Sequence, residues 1–209
     1  MLFRSELISA VSWAYDSGLT KYSDADMFMP FSNITREQEA KFVSEFAKSV
    51  LGMEADMDAD CSFSDEGSID YTLVDSVVEA CQMGIMMGYQ GNFMPKQVLT
   101  RGQLAIVHSR LLALIDPMSG EQDHFAALQD AGIMNVANLS APATREASVL
   151  MKYRIAMGNE EDLCTLDPNL PECVDNGNGT GNNNTGVVVK AGDLNVSLNP
   201  SSPAQMTSI

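Results

Sequence analysis

Apolar residues along the chain recur at helical spacing in a series of runs, and the runs alternate in kind. The first, from about Glu6 to Ser17, carries Leu7, Val11, Trp13, Ala14 and Tyr15 and stops at Gly18, a residue suited to a helix C-terminus. The next opens at Thr35, sets Phe42, Val43, Phe46, Val50 and Leu51 on one stripe, and ends at Gly52. Leu73, Val74, Val77, Val78 and Cys81 form a third stripe that stops at Gly84, and Thr100 then opens a helix with Leu104, Val107, Leu111 and Leu114 on its core face. Phe125 and Leu128 lead to Gly132, and Thr144 opens a last run with Val149, Leu150 and Tyr153. A shorter run stopped by glycine, followed by a longer one opened by threonine, is a unit that recurs. Recurrence of this kind predicts a mainly α repeat protein, with repeat 1 at 6–52, repeat 2 at 61–115 and repeat 3 at 121–157.

Between the runs the chain is polar. A stretch containing Pro30 precedes Thr35, an acidic connector holds Glu54, Asp56, Asp58 and Asp60, and Gly91-Asn92-Phe93-Met94-Pro95 is rich in turn formers. Met83, Met86, Met87 and Met94 read as core and turn packing. After Met157 the composition changes. Residues 158–186 hold a loop flanked by Cys164 and Cys173, then an Asn/Gly tract with the composition of a flexible linker. Residues 187–209 alternate as a strand does and read as the start of a truncated β-domain.

The charge balance narrows the partners. Twenty-eight Asp and Glu against 12 Lys and Arg leave a net charge of −16, which repels nucleic acid and anionic lipid surfaces. No apolar run approaches the ~20 residues of a membrane helix, so no insertion is expected. Met1 to Ser5 lacks the regions of a leader and reads as appended sequence, and the chain is expected to continue beyond both ends.

Four cysteines fall into two local pairs, Cys61 with Cys81 and Cys164 with Cys173. That pattern fits disulfides and an oxidising compartment, free thiols being the other reading. No Cys-x-x-Cys spacing occurs and His108 and His124 stand apart from both pairs, so neither a metal site nor a cofactor is expected. Asp56-x-Asp58-x-Asp60 starts like a calcium loop, but Cys61 and Gly67 occupy the positions that need glycine and glutamate. His108, beside Val107, reads as a partly exposed helix residue. Trp13 suits either sugar stacking or a place in the core.

Thr35-Arg36-Glu37-Gln38 and Thr100-Arg101-Gly102-Gln103 fit the capping box; Thr144 keeps the cap with Ala147 in the glutamine position. The threonines thus have a structural reason. Arg36, Arg101 and Arg145 do not, because the helix dipole disfavours a cation in the first turn. Two explanations stand open. The guanidinium fork, with the N-terminal amides, forms a site for a carboxylate or phosphate, or it pairs with an acidic neighbour of the adjoining repeat.

Gly84-Ile85-Met86-Met87-Gly88, then Phe93-Met94-Pro95, then Leu99-Thr100-Arg101-Gly102-Gln103 closely resembles the S-layer homology domain. Ser12-Trp13-Ala14 with Ile34-Thr35-Arg36-Glu37, and Ala131-Gly132-Ile133 with Ala143-Thr144-Arg145-Glu146, are similar to the same module, so the resemblance spans about residues 6–157. Repeat 1 departs from it in lacking the second turn glycine, and repeat 3 in lacking the aromatic-x-Pro loop. The resemblance implies three helical repeats in a pseudo-threefold arrangement. It further implies a non-catalytic module at the cell surface whose grooves bind acidic wall polysaccharide, with Arg36, Arg101 and Arg145 on the acidic groups and Gly84, Gly88 and Trp13 beside them. Arg101, in the repeat with the full pattern, is expected to be the strongest site. A protein-interaction module, with lattice neighbours as partners, is the alternative; no catalytic constellation is recognisable.

Overall fold

A computed structural model describes residues 2–135 and 137–157. Within them the chain forms α1 (Leu2–Asp16), α2 (Ala25–Phe28), α3 (Arg36–Ser49), a 3-10 turn (Glu66–Ser68), α4 (Val74–Gln82), α5 (Arg101–Leu111), α6 (Glu121–Asp130) and α7 (Arg145–Met157). The architecture is mainly helical, with backbone pairing among these residues confined to isolated bridges. Cys164, Cys173, the linker at 158–186 and the β-segment at 187–209 lie outside the described residues.

The three predicted glycine stops share one geometry. Gly18, Gly84 and Gly132 have φ of 74°, 71° and 70°, a left-handed conformation that glycine adopts without a Cβ penalty. In each case the next two amides turn back onto a single carbonyl: Leu19 and Thr20 onto Ala14, Ile85 and Met86 onto Ala80, Ile133 and Met134 onto Leu128. Each helix end is thereby satisfied, and the residue after the glycine (Leu19, Ile85, Ile133) is delivered into the core.

α3 packs on α4, α5 on α6, and α7 on α1, so the last helix returns to the first. Arg154 of α7 strengthens that closure with a two-pronged pair to Glu6 (2.6 and 2.9 Å) and a bond to the Ile133 carbonyl. At the other end, three residues that precede the Thr-Arg pairs form a closed hydrogen-bonded ring. Ile34 N–H donates to Ala143 C=O, Ala143 N–H to Leu99 C=O, and Leu99 N–H to Ile34 C=O (3.0, 2.7 and 3.0 Å). All three are buried. Isolated helices of this length are marginal in water, so burial against one another holds them.

Several local expectations change. The stretch before Thr35 contains the short helix α2, capped by Asp24, whose carboxylate accepts from the Asp26 and Met27 amides. It leads into Phe28-Met29-Pro30, a second copy of Phe93-Met94-Pro95, and both methionines take positive φ, 53° and 58°. This stretch therefore has the same aromatic-x-Pro loop as the one at Phe93-Met94-Pro95. α5 ends at Leu111, leaving Leu114 partly buried beyond it, and Tyr15 and Met87 are exposed. Cys61 and Cys81 form a disulfide that ties the connector to the end of α4.

Candidate functional site

The N-termini of the three long helices meet at the ring, and their first amides are already used. Arg36 and Glu37 donate to the Gln97 and Pro95 carbonyls, Arg101 and Gly102 to those of Ala141 and Leu139, Arg145 and Glu146 to those of Ser32 and Pro30. The third amide takes the threonine cap at Thr100 (Gln103 N–H, 3.1 Å) and at Thr144 (Ala147 N–H, 3.2 Å). Gln38 and Gln103 reach back to the Thr35 and Thr100 amides, as the capping box requires. The expected anion site built on free N-terminal amides is therefore not available: the neighbouring loop fills it.

What remains are the guanidinium groups, and they are not equivalent. Arg36 bonds through Nε to the Phe93 carbonyl (2.7 Å) and through an Nη to that of Met87 (3.0 Å), 5.0 Å above the Phe93 ring. It braces the turn of repeat 2. Arg145 lies 4.7 Å above the Phe28 ring of repeat 1, and its Nε is buried with no partner. The Nε of Arg101 is likewise unpartnered. Among the described residues none of the three makes a close ion pair, but Asp65 attracts Arg36 and Glu146 attracts Arg101 at longer range. Burial lowers the pKa of all three, most directly by removing water from the charged form.

Arg145 also lines a cavity of about 500 Å³. Its walls include Lys21 and Tyr22 after Gly18, Phe28 of the loop, Gln38, Lys41 and Glu45 of α3, and Leu73 just before α4. Lys21 stands 5.4 Å over the Tyr22 ring. Three cations and one carboxylate thus face one concavity, in a chain with only 12 lysines and arginines. Sequence reasoning missed Lys21 and Lys41. Registering the repeats on their arginines puts Lys41 level with Ile106 and Leu150, a cation in an otherwise apolar position, and that was the available signal.

The other expected site residues have packing roles. Gly84 supplies the positive φ already described. Gly88 gives room: a Cβ there would lie 2.7 Å from both the Asn92 carbonyl oxygen and the Phe63 ring. Trp13 is partly buried, its ring edge-on to Phe46 (6.0 Å) and Tyr153 (5.7 Å), which joins α1 to α3 and α7.

A second group lies where the three long helices converge. Lys152 donates to Glu39 Oε1 (2.7 Å) and Ser148 Oγ (2.9 Å) and meets His108 Nε2 at 3.2 Å, while Ser148 donates to Glu39 Oε2 (2.6 Å). His108 Nδ1 faces the Leu104 carbonyl at 3.0 Å. A carbonyl only accepts and an ammonium only donates, so the imidazole is neutral with its proton on Nδ1. Burial and the Lys152 charge hold its pKa well below the ordinary value. Burial also lowers the pKa of Lys152, against the opposing pull of Glu39. His108 is fully buried rather than partly exposed, which corrects the sequence expectation. Each pair of positions involved (Glu39 and Val43, Leu104 and His108, Ser148 and Lys152) sits three and seven residues after an arginine, on the inward face of its helix.

Residues 62–105 match the family model of the S-layer homology domain. Such domains are generally non-catalytic cell-wall anchoring modules of surface proteins. A search of curated proteins finds no match. No helix among the described residues is long and apolar enough to cross a membrane.

Proposed function

We propose that residues 6–157 form a pseudo-threefold module of three S-layer-homology repeats that anchors a surface protein by binding acidic cell-wall polysaccharide. The ring of Ile34, Leu99 and Ala143 and the cyclic pairing of α3 with α4, α5 with α6 and α7 with α1 support the threefold reading. The observation that carries the ligand is the groove at Arg145. A buried guanidinium nitrogen without a partner, two exposed lysines and the Tyr22 and Phe28 rings face one cavity, although the chain as a whole is strongly acidic. Anionic groups of a glycan would make charge-assisted hydrogen bonds there, and a sugar face would stack on the partly exposed Tyr22 ring.

Sedimentation of the full chain with purified bacterial cell wall tests this. Binding is expected to fall with added salt, since the cation–anion attraction is screened, and to fall strongly in Arg145→Ala. Binding that is indifferent to both removes the proposal.

A further inference from the structure

Each arginine faces a different stretch of the chain, Arg145 that at Phe28, Arg36 that at Phe93 and Arg101 that at Glu146, and these walls differ. Eight residues before the repeat's own arginine stand Phe28, Phe93 and Ala137. Five residues after it stand Lys41, Ile106 and Leu150, and three after the turn glycine stand Lys21, Met87 and Asn135. The wall of repeat 1 thus has an aromatic ring and two lysines, that of repeat 2 a ring without these lysines, and that of repeat 3 neither. The arginines differ as well: the Nε of both Arg145 and Arg101 lacks a partner, but Arg145 shares its cavity with the two lysines. Arg145 meets the repeat 1 wall with its Nε unpartnered, whereas Arg36 meets the repeat 2 wall already bonded to two carbonyls. Arg101 meets repeat 3 opposite Glu146, whose carboxyl burial pushes up and the Arg101 charge pulls down.

We propose that the module engages its wall glycan through one groove, the one that joins Arg145 to repeat 1, and that Lys21 and Lys41 determine this choice. The inference rests on the anchoring reading above and adds a valency of one with named determinants. It also moves the principal site away from Arg101, because a groove takes its character from the facing repeat as much as from the repeat that supplies the arginine.

The full chain with purified bacterial wall serves as the probe, comparing wild type, Lys21→Ala/Lys41→Ala and Arg101→Ala. Both lysines are exposed, so the double variant is expected to keep the fold, which circular dichroism checks. Two lost charge-assisted contacts correspond to affinity lower by about tenfold or more, with Arg101→Ala within about twofold of wild type. Wild-type binding that survives the double lysine change, or that Arg101→Ala weakens as much, overturns the single groove and leaves anchoring intact. No binding by wild type overturns the anchoring reading and this inference with it.

Discussion

Lys152 of α7 and Glu39 of α3 lie 2.7 Å apart with neither side chain exposed, joined across 113 positions of sequence. A buried pair of this kind adds little net stability against an apolar substitute, but removing one partner strands the other charge. Lys152→Met is therefore expected to cost about 3–5 kcal/mol in urea unfolding. Glu39→Leu/Lys152→Met should lie closer to wild type than Lys152→Met does. A double variant that is worse than the single one argues against this view of the junction.

His108 gives the fold a pH dependence. Its pKa in the folded chain is well below the ordinary value of about 6.5 that the unfolded chain regains. The unfolded chain then binds a proton that the folded chain does not, so stability is full above about pH 6.5 and declines as pH falls. One such proton contributes up to about 1.4 kcal/mol per pH unit. Burial moves His124 the same way, and the wild-type slope contains both. His108→Gln keeps a neutral acceptor for Lys152 and should flatten the loss between pH 7 and 5; an unchanged slope would show that the imidazole is not its source.

Arg36→Ala and Arg145→Ala should separate structure from binding. Arg36 satisfies the Phe93 and Met87 carbonyls, so its loss is expected to lower stability by about 1–3 kcal/mol. Arg145 contributes mainly a ring contact of about 0.5–1 kcal/mol to the fold and is expected to matter more for wall sedimentation. Equal losses of stability in denaturant titrations would contradict this division.

The disulfide between Cys61 and Cys81, 20 residues apart, limits the freedom of the unfolded chain. Cys61→Ser/Cys81→Ser should be less stable by about 3 kcal/mol. The test is the shift in urea midpoint, which should also make the variant insensitive to reductant at this site.

Gly84 and Gly88 are required for different reasons, and substitution distinguishes them. Gly84 has open space around it but φ of 71°, so Gly84→Ala should cost about 1–2 kcal/mol and Gly84→Asn less. Gly88 has no room for a Cβ, so Gly88→Ala should cost about 1–3 kcal/mol and Gly88→Asn more than Gly88→Ala. The reverse ranking for asparagine at either site would be incompatible with these causes.

Much of the fold was legible because its signals are local. Thr100 and Gln103 meet within one turn, and Gly18, Gly84 and Gly132 act on their own φ. The helical stripes recur every three or four residues, so helix starts, stops and core faces followed from pattern. Repeat 1's Phe28-Met29-Pro30 was also present in the sequence, as an identical tripeptide at the same distance from Thr-Arg, but a short helix before it hid the register.

By itself, then, the sequence determined where most helices begin and where they stop. Tertiary structure decided which arginine faces which wall, that the N-terminal amides are filled by a neighbouring loop, and that His108, Glu39 and Lys152 share one buried junction. The physical reason is range. Capping and left-handed turns are settled among residues a few positions apart. The environment of Arg145 or His108 depends on what distant helices bring opposite it once the ring through Ile34, Leu99 and Ala143 closes.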